Sequence, residues 1–251
     1  MRVLSQRALS LSDAEYATRF AELAAGTPDE RVLALHLAVV RRDLDVVERA
    51  LADPVLRRRA LSAAVRLPVS DSALSTVIET APRRDRVAAY GVLRLSRRRE
   101  LADRLVETVH ESRGRQDVAE LLPSCSEDVV ARWLPRIGAG PVLLRRLIRV
   151  SPRVVAEFLA PAFAAANRHG DRRWLREYQP LLVMLVAREP VGVAAIIRQL
   201  PRSAPCSLPV EVVPALLLSG LRPARDRPRY PEHGREDPEP DGESASDHRR
   251  S

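Results

Sequence analysis

The chain contains no lysine at all. Each of its 41 basic residues is an arginine, and with 33 acidic residues they give the 251-residue sequence a formal net charge of +8. Basic proteins often bind nucleic acid, because their cations neutralise phosphates. Here the lack of lysine accompanies an abundance of alanine, proline and valine, as GC-rich coding would produce. The positive charge is therefore weak evidence for a nucleic-acid partner.

Aromatic residues and cysteines are scarce as well. Aromatics make up 4% of the sequence and hydrophobic residues 45%, so leucine, valine and alanine must form the core. Such a core suits closely packed helices better than a β-sandwich. The two cysteines, Cys125 and Cys206, lie in no Cys-x-x-Cys pair, which excludes a disulfide framework and a cysteine-based zinc site.

Long hydrophobic runs are missing too. The longest clean apolar run covers residues 181–187, which is far too short to cross a bilayer. The first residues contain no apolar block of signal-peptide length. These observations predict a cytoplasmic protein with no membrane partner.

What the sequence does contain is a repeated pattern of paired apolar residues at helical spacing. The pattern begins with a small or charged residue and recurs at intervals of 27, 27, 29, 25 and 38 residues. The starting positions are Asp43, Ser70, Arg97, Ser126, Ser151 and Glu189. A second helical segment lies between successive copies, so each unit is a pair of short antiparallel helices that must stack on its neighbours. The prediction is an all-α fold, a right-handed α-solenoid of five or six helix pairs over residues 1–221.

Local signals place several boundaries. Ser12 with Glu15 forms a predicted capping box, and Thr27-Pro28 and Asp53-Pro54 resemble helix starts with proline at the first helical position. The polar residues 167–173 predict a loop that interrupts the stack. Residues 222–251, with 7 arginines, 8 acidic residues and many prolines, predict a disordered tail.

One helical segment carries a family resemblance. Residues 53–67 open with Asp-Pro and continue with arginine and then Ala-Leu, and in this they resemble the first helix of a HEAT repeat. Residues 27–35 and 81–89 are similar but weaker copies. The resemblance implies a stacked-helix fold with a surface for partners, and it implies no activity, because such folds host many functions.

Catalytic and metal-binding patterns are missing from the sequence. None of the five histidines is paired with another histidine or a cysteine at helical spacing, and His36 fits a half-buried structural position. No Gly-x-Ser-x-Gly occurs, and the glycine cluster at 138–140 lacks the lysine of a phosphate loop. We therefore predict no catalytic residue, no metal and no cofactor, and a protein that is not an enzyme.

The arginine clusters are the candidate contacts to a partner or to phosphate. They fall at similar places in successive units, so they could form a basic stripe along a solenoid. The residues are Arg57, Arg58, Arg84, Arg86, Arg145 and Arg146. The other interpretation is that one arginine per unit pairs with a carboxylate of the next, such as Asp43, Asp45 or Asp71, while the rest are solvated. The interleaved aromatics that single-strand binders use for stacking are missing.

Three functional hypotheses follow. The first is a non-enzymatic scaffold or adaptor that binds a protein through its stacked helices. The second is a nucleic-acid-binding HEAT-like protein of the DNA-repair glycosylase type. In it Trp133 and Trp174 could line a cleft, although each also fits a core position between repeats and no acidic residue stands out. The third is a segment of a larger helical-repeat system with an exposed end that docks onto a partner.

Overall fold

The computed structural model describes residues 9–169 and 172–198 of the chain. Within these ranges it contains thirteen α-helices, one 3₁₀ turn at Leu122–Ser124 and no strand, so the predicted all-α class is confirmed. The helices are α1 (Asp13–Ala24), α2 (Pro28–Arg41), α3 (Leu44–Ala52), α4 (Arg57–Ala64), α5 (Asp71–Thr80), α6 (Arg83–Leu95), α7 (Arg99–Arg113), α8 (Arg115–Leu121), α9 (Glu127–Ile137), α10 (Pro141–Leu147), α11 (Pro152–His169), α12 (Arg172–Val186) and α13 (Pro190–Arg198). The tail predicted at 222–251 lies outside the described residues.

The first two helices begin as their sequences predict. The hydroxyl of Ser12 accepts a hydrogen bond from the backbone N–H of Glu15, and the Glu15 carboxylate accepts one from the N–H of Ser12 at 2.8 Å. Thr27 and Glu30 form the same reciprocal pair ahead of α2, with Pro28 at the first helical position. Because these bonds favour the ionised carboxylates, they lower the pKa of Glu15 and of Glu30.

The Asp53-Pro54 pair behaves differently from its prediction. Helix α4 begins only at Arg57, and residues 54–56 form a turn. The Asp53 carboxylate accepts a hydrogen bond from the backbone N–H of Val55 at 2.9 Å, which stabilises this turn after α3. The aspartate therefore caps a turn rather than the helix.

Packing follows the order of the chain. The six copies of the sequence pattern form α3, α5, α7, α9, α11 and α13. Among these, α3 packs on α5, α5 on α7, α9 on α11, and α11 on α13. A parallel series joins α2 to α4, α4 to α6, α6 to α8, and α10 to α12. The 3₁₀ turn contacts α6, α7, α8, α9 and α10. It therefore connects α7 with α9 in the first series and α8 with α10 in the second.

The segment predicted as a loop at 167–173 is largely helical. Helix α11 continues through His169 and α12 begins at Arg172, while Gly170 and Asp171 lie outside the described residues. The long interval of 38 residues is taken up by long helices, since α11 has 18 residues and α12 has 15. Extra residues have lengthened two helices instead of forming an insertion between them.

The core is a continuous apolar cluster drawn mainly from leucine, valine and alanine, as the composition predicts. Trp133 and Tyr90 are its largest fully buried side chains, so Trp133 occupies a packing position rather than an open cleft. The side chain of Trp174 lies outside the described part of the chain, as does Cys206. Cys125 is buried, and this burial raises the pKa of its thiol. No described helix is both long and apolar enough to cross a membrane.

Candidate interaction site

The six arginines singled out by sequence occupy two kinds of environment. Arg57 and Arg86 are buried, at 9% and 8% exposure. The other four are exposed: Arg58, Arg84, Arg145 and Arg146. Arg146 forms an ion pair with Glu120 of α8. The clusters at 57–58 and 84–86 therefore do not act as units, because each combines a buried arginine with an exposed one.

Arg57 joins three helices from the first position of α4. Its Nε donates to the carbonyl of Leu51 at 2.8 Å, and its Nη2 donates to the carbonyl of Ala52 at 2.9 Å, both at the end of α3. Its Nη1 lies 3.4 Å from Oδ2 of Asp85 in α6. Carbonyls at the end of a helix have no hydrogen-bond donors within the helix. Here the buried guanidinium of Arg57 donates to them.

Arg86 repeats this arrangement one unit later. Its Nη1 donates to the carbonyl of Ala81 at the end of α5, at 2.9 Å, and its Nε donates to Oδ2 of Asp117 in α8 at 2.8 Å. The hydroxyl of Tyr90 donates to the same carboxylate oxygen at 3.1 Å. Arg83 approaches the other oxygen of Asp117 at 3.5 Å. Because burial and the Asp117 charge disfavour a phenolate, the pKa of Tyr90 is raised.

We call Arg57, Asp85, Arg86 and Asp117 the arginine ladder. Each buried arginine of the ladder binds one or two carbonyls at the end of the preceding pattern helix. It also binds a carboxylate on the next helix of the even-numbered series. The sequence offered this pairing as the second interpretation of the arginines, although it named other acids. Of those, Asp71 does pair across units, with Arg98 at 2.9 Å and Arg104 at 3.1 Å.

A second feature lies on the opposite side of α4 from the ladder residues, between α2 and α4. It is a groove of about 820 Å³ that continues to the end of α6, and we call it the α2–α4 groove. Most of its lining is apolar. The apolar residues include Val32, Leu33, Val39, Ala63, Val65 and Leu95. Leu33 is 48% exposed and Leu95 62% exposed, so two large hydrocarbon side chains that line the same groove face solvent.

Three arginines line this groove: Arg42 after α2, Arg59 within α4 and Arg66 after α4. All three are exposed. Among the residues that the structure describes, none of the three forms an ion pair and no carboxylate lines the groove. Within the described ranges, the groove is thus an apolar trough lined by three arginines that form no ion pair.

None of these three arginines is among the six candidate contacts predicted from the sequence. Residues 59, 62 and 63 form the outer stripe of α4, opposite the buried Ala60, Leu61 and Ala64, and residue 66 continues the same spacing in the turn after the helix. That spacing could have separated Arg59 from its neighbours Arg57 and Arg58. Residues of α2 and the end of α6 also line the groove. Their position there depends on tertiary packing, and no local sequence pattern predicts it.

Within the described ranges, no group of three or more histidine, cysteine or acidic side chains could hold a metal ion. His36 is half-buried in α2, as expected, and its Nε2 has no hydrogen-bond partner within the described part. The ring of Trp133 lies tilted against that of His110, with 4.9 Å between the ring centroids, and its Nε1 is likewise without a hydrogen-bond partner in the described part.

Searches of protein-family models, of curated proteins and of solved structures each find no match to the chain.

Proposed function

We propose that residues 1–221 form a right-handed α-solenoid of HEAT-like helix pairs, and that the protein is a non-enzymatic cytoplasmic adaptor that binds a protein partner on its stacked helices. The two series of packed helices, α3–α5–α7 with α9–α11–α13 and α2–α4–α6–α8 with α10–α12, support the solenoid. The arginine ladder supports it as well, because it ties successive units together with equivalent residues.

The observation that carries the adaptor function is the α2–α4 groove. Soluble proteins rarely leave large apolar side chains side by side on the surface unless another molecule covers them. Leu33 and Leu95 line one groove and are both substantially exposed. A surface of this kind fits protein binding, since eight of its thirteen lining residues are hydrocarbon and three are arginines; the other two are His36 and Ser62.

A nucleic-acid-binding role remains the second candidate. It is favoured by Arg58, Arg84 and Arg145, which are exposed and form no ion pair in the described part of the chain. Such binding would weaken steeply as salt rises, because it releases counterions. A duplex-DNA titration at two salt concentrations separates this role from the adaptor role.

The experiment for the adaptor function is a photo-crosslinking scan of the full chain in its native host. Benzoylphenylalanine replaces one exposed residue at a time: Leu33, Val55, Leu95, Val142 or Val191. We expect an adduct to one protein from one or more of these positions, and the purified partner should bind the chain again. Adducts to nucleic acid, or no reproducible adduct at any position, would contradict the adaptor function.

A further inference from the structure

We propose that the α2–α4 groove binds an acidic amphipathic helix of the partner protein, with apolar side chains in the trough and carboxylates on Arg42, Arg59 and Arg66. This inference rests on the proposed adaptor function and specifies the partner. Two properties of the groove lead to it: the apolar lining and the charge.

The apolar lining selects the kind of surface that can fill the groove. Eight of its thirteen lining side chains are hydrocarbon: those of valine, leucine and alanine. Their burial is favourable by roughly 25 cal/mol for each Å² removed from water. A phosphate backbone would leave this hydrocarbon exposed, so the groove does not fit nucleic acid even though it contains arginines.

The walls favour a helical occupant over an extended one. They are the helices α2 and α4, whose interior backbone groups are already bonded within each helix. An extended peptide would find few free N–H or C=O groups to satisfy its own backbone. A helix satisfies its backbone internally and presents apolar side chains at positions i, i+3, i+4 and i+7, the known pattern of helix-in-groove recognition. Helix α2 has 14 residues, so it spans about 21 Å, enough for several turns of a ligand.

The charge selects acidic partners. Arg42, Arg59 and Arg66 line the groove without any carboxylate among its described lining residues. Elsewhere the described chain pairs many arginines with acids, as Arg57, Arg86 and Arg146 show. Three unpaired guanidinium groups around one apolar trough therefore repel basic ligands and favour carboxylates.

A neighbouring cavity between α1 and α2 indicates on which side of α2 an acidic helix would bind. It has a volume of about 710 Å³ and shares Leu33 and His36 with the groove, but its rim includes Glu15 and Glu22. Glu15 serves the capping box of α1, and Glu22 pairs with Arg19. An acidic helix would meet carboxylates there, so the proposal places it on the α4 side of α2.

A peptide-display selection tests the proposal on the full chain. The library carries helix-favouring peptides of about 14 residues, the length of α2, with randomised surface positions. The bait is the wild-type protein, and binders are then compared on two double variants of equal charge: Arg59→Glu with Arg66→Glu, and the control Arg58→Glu with Arg84→Glu. The control arginines are exposed and lie outside the groove lining.

The expected result is enrichment of peptides with apolar residues at i, i+3, i+4 and i+7 and acidic residues beside them. Their dissociation constants should rise about tenfold or more on the groove variant and less than about threefold on the control. Replacing glutamate by glutamine in the selected peptide should weaken binding to wild type but not to the groove variant.

Three outcomes would overturn the proposal. One is enrichment of peptides without acidic residues, or no enrichment at all. Another is an equal loss of binding on both double variants, which indicates non-specific attraction to net charge. The third is a crosslink from Leu33 or Leu95 to the chain itself or to a second copy of it. A partner adduct from Val142 or Val191 alone would leave the adaptor function standing while the groove assignment fails.

Discussion

Arg57 and Arg59 are two residues apart on α4 and have opposite surroundings. The guanidinium of Arg57 is buried between two carbonyls of α3 and the carboxylate of Asp85. The guanidinium of Arg59 is exposed beside an apolar groove and has no acidic partner in the described chain. One arginine contributes to the fold and its near neighbour is free to contribute to binding. A helix turns by about 100° per residue, which is enough to separate the two roles.

The largest effect is expected from a variant that breaks the arginine ladder at Asp117. This carboxylate is 2% exposed and binds Arg86 and Tyr90. Asp117→Ala leaves the buried Arg86 without its counter-charge, so we expect the free energy of unfolding to fall by about 3–5 kcal/mol. Urea denaturation followed by circular dichroism measures the loss.

The matched control for that variant is Asp71→Ala. Asp71 also pairs with two arginines, Arg98 and Arg104, but it is about half exposed. Water screens such a pair, so its loss should cost less than about 1 kcal/mol. Adding Arg86→Met to Asp117→Ala should recover part of the stability, because it removes the unpaired charge. Equal losses at Asp117 and Asp71 would contradict the role given to the buried rung.

The second effect is the response of the ladder to alkaline pH. The pKa of Tyr90 is raised above its ordinary value of 10.0 by burial and by Asp117, so the folded protein holds this proton longer than the unfolded chain. The contribution of the protonated Tyr90 to the free energy of unfolding is therefore complete below pH 10. It is lost as pH rises above 10, at up to about 1.4 kcal/mol per pH unit for one tyrosine. The chain has no lysine to titrate in this range, and arginine keeps its proton.

The measurement compares wild type with Tyr90→Phe between pH 10 and pH 12. Phenylalanine cannot ionise, so the slope of stability against pH should become shallower in the variant, whatever the loss of the hydrogen bond to Asp117 costs at neutral pH. Tyr16 also has a raised pKa and supplies a remaining slope in both proteins. Identical slopes would mean that Tyr90 ionises as readily in the folded protein as in the unfolded chain.

The third effect concerns the backbone of the groove. Arg42 ends α2 in the left-handed region, with φ of 56°, a conformation that glycine adopts more easily than arginine. Arg42→Gly should raise the free energy of unfolding by about 0.5 kcal/mol, after the greater entropy of glycine in the unfolded chain is counted. The control Arg58→Gly, within α4, should lower it by about 1 kcal/mol. Thermal unfolding of both variants decides whether the two shifts have opposite signs.

The helices are easier to predict from the sequence than the arginine ladder and the α2–α4 groove. The class, the helix starts at Ser12 and Thr27, and the six pattern helices follow from local rules of capping and apolar spacing. The turn after Asp53 was missed because Asp-Pro serves both turns and helix starts. The helical structure within 167–169 and 172–173 was not predicted, because a run of polar residues is typical of loops.

The site was harder because it depends on neighbours that are distant in sequence. Arg57 and Arg86 find Asp85 and Asp117 about 30 residues further on, and no spacing rule names those partners. The groove combines the outer stripe of α4 with residues of α2 and Leu95 of α6. A sequence identifies the stripe, but only the packing shows that it borders a trough and not a flat surface.

The smallest expected effect is the charge reversal of the groove itself. Arg59→Glu with Arg66→Glu should change the free energy of unfolding by less than about 0.5 kcal/mol, because exposed charges without partners contribute little to stability. Arg57→Glu, a few residues away, should be strongly destabilising because it places a carboxylate against Asp85 and two carbonyls. Urea denaturation of the two proteins in parallel gives the contrast directly. If the groove variant proved as unstable as the ladder variant, Arg59 and Arg66 would belong to the fold, and their positive charge would not be available to a partner.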